Sequence, residues 1–367
     1  MGRCAHFCRG QRGYPRRAYV IVNDLWRQPL DLRCPQCESH LLKKATKRDG
    51  MFKAFIFPGQ GSQSVGMGKA LADSFPSARD VFAEVDDALG QNLSALIFEG
   101  PLDELTLTAN AQPALMAVSL AAVRVLEAEA GLDLARDAGF VAGHSLGEYS
   151  ALAAAGSLTI ASTARLLRLR GEAMQAAVPV GAGAMAALLG IECEVGDAIA
   201  HEAAEAAGAG EICQVANDNG GGQVVVSGTR AAVNCAIEIA KAKGARRSVL
   251  LPVSAPFHCA LMQPAAAAMA AALAETEIAP PCVPLVANVL AEPVTASEDI
   301  RRLLVAQVTG AVRWRESLAY MASHGIELFV ECGAGKVLSG LVKRIAETAR
   351  ALPVGAPADI DLYKAQA

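Results

Sequence analysis

Three features of this chain predict an α/β fold with a small domain inserted into a larger one. Short apolar runs that read as buried strands alternate with Ala-rich helical patterns. Residues 139–155, GFVAGHSLGEYSALAAA, pass from small and β-branched residues through a tight glycine turn straight into a helix. From Gly183 to Val253 the order becomes strand, helix, strand, strand, helix, strand. The first two features imply a large α/β-hydrolase-like domain on a parallel sheet, residues 51–180 and 254–350. The third implies a ferredoxin-like (βαββαβ) small domain at 181–253, and residues 351–367 are expected as a C-terminal tail.

In chain order, 52–57 (FKAFIF) reads as the first buried strand and ends at Pro58 and the polar loop Gly59-Gln60-Gly61-Ser62-Gln63. Ligands bind at strand C-termini in open α/β sheets, so Gln60 and Gln63 are candidates to contact a substrate. Helices are expected at 77–89 and 110–130, the second with Pro113 near its start and Gly131 closing it. Residues 139–144 form the second strand, Ser145 opens the elbow helix, and 159–177 is a helix carrying Arg165, Arg168 and Arg170. In the small domain, strands at 185–189, 212–216, 223–227 and 248–253 enclose helices at 194–207 and 230–243, and 217–222 (NDNGGG) is the turn between the middle strands. The large domain resumes at the loop 255–259 (APFHC). It continues through a helix at 261–275, a strand at 284–289, helices at 297–308 and 313–323, a strand at 327–331 and a helix at 336–348.

Composition narrows the class. With 53% hydrophobic and 19% charged residues among 367, the chain can bury a large core and exceeds one average domain. Arg, Glu, Gln, Pro or Asp interrupts every apolar run short of the roughly 20 residues a membrane helix needs, so no membrane partner is expected. Cys193, Cys213, Cys235, Cys259, Cys282 and Cys332 lie in apolar surroundings without motif spacing and read as reduced thiols. With no signal-peptide pattern, a cytoplasmic location is expected, as a monomer without a nucleic-acid partner.

Residues 1–50 differ from the rest. They hold eleven Lys/Arg against four Asp/Glu, while the remainder holds 22 against 33, so a basic segment precedes an acidic body at −11. Cys34-Pro-Gln-Cys37 has the spacing of half a zinc site, with Cys4, Cys8, His6 and His40 nearby. No strand pattern surrounds either cysteine pair, and Met51 directly precedes the first convincing strand. An unstructured extension, or a start placed upstream of the authentic one, is expected, with no metal. A transit peptide fits less well, because Ser39 is the only serine and acidic residues are present.

At the elbow, Gly143 and Gly147 permit the turn and Ser145 is pushed into the open, with the N–H groups of the new helix beside it. A nucleophile with an oxyanion hole needs this arrangement, and it also needs a base. His6 and His40 lie in the extension, His201 sits on a helix face, and His324 ends a helix before Gly325. His144 precedes the serine on a strand and should point to the opposite face. His258, in a loop at a strand exit, is the candidate left. No acidic residue announces itself as its orienting partner, and a backbone carbonyl could hold the Nδ1 proton instead.

Six motifs then occur in order: FPGQGSQ at 57–63, GHSLGEYSAL at 143–152, RG-x-x-MQ at 170–175, NDNGGGQVVVSG at 217–228, PFHCALM at 256–262 and ECGAGKVLSGL at 331–341. Together they resemble the malonyl-CoA:acyl carrier protein transacylase family of fatty-acid synthesis, over essentially all of residues 51–350. The resemblance implies Ser145 as nucleophile, His258 as base, and the Leu146 backbone N–H with Gln60 as oxyanion donors. It further implies that the main-chain carbonyl of Gln307, in AQVTGAVRW, holds the histidine, and that Arg170 receives the malonyl carboxylate. Without it, Arg170 could not be chosen over Arg165 or Arg168. Leu146 and Phe257 match malonyl-selective members, where methylmalonyl-selective relatives tend to carry Gln and Ser. Ala255-Pro256 and Gly220-Gly221 depart mildly from the frequent Val-Pro and Ser-Pro.

The implied partners are malonyl-CoA and acyl carrier protein, with no cofactor and no metal. Because carrier proteins are acidic and this body is too, a local basic patch is expected, either Arg246 and Arg247 or Lys336, Lys343 and Arg344. A serine hydrolase or thioesterase shares the elbow, but that fold places Asp and then His after the serine, the His near the chain end. Here about a hundred residues follow His258. A polyketide-type acyltransferase, and a carrier-docking module that keeps the fold without turnover, are further rivals.

Overall fold

The computed structural model describes residues 52–366. The expected extension, its Cys34 and Cys37 pair and the zinc question lie outside these residues.

The central sheet has six strands: β1 (Lys53–Phe57), β2 (Ala138–Gly143), β7 (Leu285–Val286), β8 (Pro293–Val294), β9 (Leu328–Cys332) and β10 (Arg350–Val354), in the order β10-β9-β1-β2-β7-β8. All neighbours are parallel except β8, which turns back antiparallel on β7. Strand alternation divides its apolar residues between two cores. Phe55, Phe57, Val141, Leu328 and Val330 enter one, while Ala54, Ile56, Phe140, Ala142 and Phe329 enter the other. Burial on both faces is why these strands read as continuous apolar runs rather than alternating ones.

A second sheet contains β3 (Gly183–Leu189), β4 (Cys213–Asp218), β5 (Gln223–Thr229) and β6 (Arg247–Leu250), ordered β4-β5-β3-β6 and antiparallel throughout. Ala184, Ala186 and Leu188 of β3 form a small core with the helices Cys193–Ala207 and Arg230–Ala242. The alternate residues Met185 and Ala187 join the main core instead.

Two expectations need correction. Residues 351–367 are not a tail: β10 pairs with β9, and the helix Pro357–Lys364 sends Ile360 and Tyr363 into the main core. The strand expected over 284–289 is only Leu285–Val286, and the chain turns off the sheet in time for Asn288 to face the elbow. The helix Thr108–Ala130 is long and apolar enough to cross a membrane by length and composition, despite Arg124, Glu127 and Glu129 near its end; it is a core helix, buried along most of its length.

Candidate active site

The elbow is built by close approach of backbone. A Cβ on Gly143 would stand 1.9 Å from the Gly147 carbonyl group, and one on Gly147 would stand 2.3 Å from the carbonyl oxygen of Phe57. Neither position admits a side chain, so the helix Gly147–Ala154 can begin directly against the end of β1. Ser145 sits in the left-handed region with φ 54°, which is strained for a non-glycine residue. Asn288 clamps it: the Ser145 N–H donates to Asn288 Oδ1 at 2.8 Å, and Asn288 Nδ2 donates to the Gly143 carbonyl at 2.7 Å. The Ser145 N–H is thereby committed. The Leu146 N–H, next along, meets no acceptor among the described residues.

Ser145 Oγ lies 2.7 Å from His258 Nε2. The loop carrying His258 also has a left-handed residue there, φ 59°, and buries the imidazole. His258 Nδ1 faces two carbonyl oxygens, Gln307 O at 2.9 Å and Gly310 O at 3.1 Å. Only an N–H can serve both, so Nδ1 carries the proton and Nε2 presents its lone pair to the serine hydroxyl. Two carbonyls therefore take the orienting role for which no acid could be named. Burial, then the nearby Arg170 cation, push His258 down to about 3, against the opposing pull of those carbonyls. At neutral pH the imidazole is a neutral acceptor.

Of the three arginines on the helix Ile160–Ala176, Arg165 is exposed and Arg168 is turned away, its Nη1 donating to Asn110 Oδ1 at 2.6 Å. Arg170 is 1% exposed and aims at the serine: Nη2 donates to Ser145 Oγ at 3.3 Å and to Gln307 Oε1 at 2.8 Å, while Nη1 donates to Gln112 Oε1 at 2.8 Å. Its Nε makes no well-formed hydrogen bond among the described residues, so this buried cation, with the Tyr149 side chain beside it, keeps a donor to spare near the Ser145 hydroxyl. Gly171 allows this depth, since a Cβ there would stand 2.6 Å from Thr108 O.

Gln60 stands in the loop after β1, next to Gly59, whose Cβ position falls 2.7 Å from His144 O. Its side-chain amide donates to Thr108 Oγ1 at 3.2 Å rather than toward Ser145, so its backbone N–H is the donor left for an oxyanion. Gln63 is engaged within its own loop, accepting from the Gly61 N–H at 2.7 Å. Phe257 is buried in the main core beside the histidine it precedes. His144 points away from the site as expected: Nε2 meets Asn219 Oδ1 at 2.9 Å and the ring stands edge-on to Trp314.

Sequence reasoning missed Glu148, Asn288, Gln112 and Gly310, and it assigned Gln307 only its main-chain carbonyl. The Gln307 side chain is equally engaged, with Nε2 donating to Ser145 O at 2.9 Å and to Glu148 Oε2 at 2.7 Å. A carboxylate inside the apolar stretch GEYSALAA and an amide just after LVAN's apolar residues were the available signals.

The acyl transferase domain profile matches residues 54–355. Malonyl CoA-acyl carrier protein transacylase of Bacillus subtilis is 45% identical over 309 residues, covering 84% of this chain and 95% of that protein. The Escherichia coli protein of the same name is 46% identical, over 83% of this chain and 96% of its own. The crystal structure of acyl-carrier-protein S-malonyltransferase from Bartonella henselae superposes with a TM-score of 0.82 at 57% identity, covering 85% of this chain and 98% of that one. A malonyl-transacylase solved in complex with a type II PKS acyl-carrier protein gives 0.82 at 42% identity, over 86% and 100%. On the strength of this match and of the elbow, base and buried arginine it spans, the chain belongs to the acyl transferase domain family.

Proposed function

We propose that this chain transfers the malonyl group of malonyl-CoA to the phosphopantetheine thiol of acyl carrier protein, through a malonyl ester on Ser145. The observation that carries it is the convergence on one hydroxyl of a neutral histidine acceptor and a buried arginine with an open donor. A hydrolase for uncharged acyl groups would have no use for that cation.

Ser145 Oγ attacks the thioester carbon while its proton passes to His258 Nε2. The oxyanion is held by the backbone N–H groups of Leu146 and Gln60, and its collapse breaks the C–S bond as His258 protonates the coenzyme A thiolate. The carrier's thiol then gives its proton to His258 and attacks the ester, and Ser145 leaves with that proton. Arg170 takes the malonyl carboxylate on Nε and Nη2 in two parallel hydrogen bonds. Pairing Arg170 with an anion also offsets the repulsion it exerts on an imidazolium, so a malonyl group makes His258 a better base than an acetyl group does. Phe257 fills the space an α-methyl would need, a discrimination of about 1 to 3 kcal/mol.

The architecture is read as an α/β-hydrolase-like body, 51–180 and from 254 through β10 and the helix Pro357–Lys364, with a ferredoxin-like insertion at 181–253; the order β4-β5-β3-β6 under two helices supports the second. Arg246 and Arg247 of the insertion and Arg344 of the helix Val337–Ile345 line one pocket of about 370 Å³ with Gly221 and Gly222. None of Ser145, His258 or Arg170 lines it. It joins Arg246 and Arg247, one of the two patches expected from sequence, to Arg344 of the other, without Lys336 or Lys343, and it is the proposed docking point for the acidic carrier. Six free cysteines among the described residues support a cytoplasmic setting.

The test is intact-mass analysis after incubation with malonyl-CoA, followed by a chase with holo carrier protein. A malonyl adduct on Ser145 that moves to the carrier supports the reading; free malonate without malonyl-carrier product, or no adduct at all, overturns it.

A further inference from the structure

We propose that Glu148 is a positioning residue of the transfer reaction, acting through the Gln307 side chain to set where Arg170 and His258 stand. The proposal rests on the malonyl-transfer reading of Ser145.

Glu148 is 1% exposed and the one charged residue of its helix, and no lysine or arginine among the described residues is ion-paired with it. A carboxylate buried this way is costly unless its oxygens are used. Here Oε2 joins three chain segments: it belongs to the elbow helix, and it accepts from Gln307 Nε2 at 2.7 Å and from the Asn288 N–H at 3.3 Å. Asn288 is the residue that clamps Ser145.

The orientation of the Gln307 amide depends on this acceptor. In the observed arrangement Nε2 faces two acceptors, Ser145 O and Glu148 Oε2, and Oε1 faces the Arg170 donor. With the amide reversed, oxygen would confront oxygen on one side and an NH2 group would confront the guanidinium on the other. Without Glu148, the shortest of the three contacts that forbid reversal is gone, and Ser145 O and the Arg170 donor alone hold the amide. The backbone of Gln307 also supplies the carbonyl that holds His258 Nδ1, so a shift of this residue reaches the base and the carboxylate receptor together. Burial pushes the Glu148 carboxyl up to about 7 against the pull of the Gln307 and Asn288 N–H groups and of Arg170, a further sign that burial strains this group.

The experiment uses the full chain with carrier protein, and follows kcat and KM for malonyl-CoA and acetyl-CoA in Glu148→Ala, Glu148→Gln, Glu148→Asp, Gln307→Ala and the Glu148→Ala/Gln307→Ala double variant. Gln307→Ala keeps the main-chain carbonyl. Because a displacement of about 1 Å can cost about 10²-fold, Glu148→Ala should lower kcat/KM for malonyl-CoA by about 10- to 100-fold, and more than for acetyl-CoA. Once Gln307 is alanine, the same change should cost less than about threefold, since the two act as one unit. Glu148→Gln, which keeps an acceptor at full reach, should recover most of the activity, and Glu148→Asp, which keeps the charge but withdraws it, should recover less. The last comparison stands even if Glu148→Ala does not fold. Multiplicative losses in the double variant, or Asp outperforming Gln, would overturn the proposal. Absence of any malonyl-serine adduct in the unmodified protein would instead overturn the functional reading beneath it.

Discussion

The two sheets of this molecule bury their faces by similar alternation but stand differently toward the chemistry. In the central sheet, β1 and β2 end at the site, and the elements around them supply Ser145, Arg170, Asn288, Glu148 and Gln307. In the small sheet, β3 divides its residues between its own core and the main one, and the domain meets the residues around the site through side chains of β4 and the turn after it. Asn219 holds His144, and Gln214 Oε1 accepts from the Ala260 N–H at 2.7 Å, just beyond His258. The difference teaches that the Ser145 elbow and Arg170 are set by the parallel sheet and the helices on it, while the antiparallel one supports the histidine loop and presents surface.

That division orders the expected effects of substitution. Ser145→Ala should remove the mass adduct and lower turnover by about 10⁵ or more, the largest change in the molecule; a residual adduct elsewhere would move the nucleophile off the central sheet. Arg170→Ala should lower kcat/KM for malonyl-CoA by about 10²-fold while raising relative activity with acetyl-CoA, as expected for a lost charge-assisted pair. An unchanged malonyl-to-acetyl ratio would refute its role. Arg247→Glu with Arg344→Glu should raise KM for the carrier by about tenfold at low salt, with the effect fading as salt screens it. Unaltered KM at every salt concentration would leave the small sheet without a share in docking.

A smaller effect concerns pH. Glu148 has its folded-state value raised from 4.5 to about 7, so its contribution to stability is present below 4.5 and is lost as pH rises through 7. His258 is lowered from 6.5 to about 3, so its contribution is present above 6.5 and is lost as pH falls toward 3. The two oppose each other between 4.5 and 6.5. Glu148→Gln removes the first, so its urea midpoint should gain on the unmodified protein between pH 5 and pH 8; a constant difference would mean that Glu148 is not held at the raised value. Smallest of all, Asn219→Ala should lower the thermal midpoint by about 2 to 4 °C and leave kcat within about threefold. A large loss of kcat would make the small sheet a party to the chemistry after all.

Much of the fold could be read because the central strands are short continuous apolar runs and the elbow is a local turn. The last strand could not. RALPV contains Pro353, which argues against a strand, and β10 tolerates it only because it lies at the sheet edge with β9 as its one neighbour. Within the site, Ser145 and His258 were legible because each sits in its own turn, whereas Arg170 required the resemblance to separate it from Arg165 and Arg168. Asn288 and Glu148 are 140 residues apart, and Glu148 and Gln307 are 159 apart. No local pattern marks polar groups whose meaning is a partner that distant.

The fit of Gly143 against Gly147, and of Gly147 against Phe57, has a consequence for descent. Those glycines are demanded by the joint between strand and helix, whatever residue lies between them. A copy of this gene that lost its serine would still need both, so the outline of the motif could outlast its activity by a long time. What marks a living enzyme in such a lineage is therefore the serine together with its distant amides, rather than the glycines that frame it.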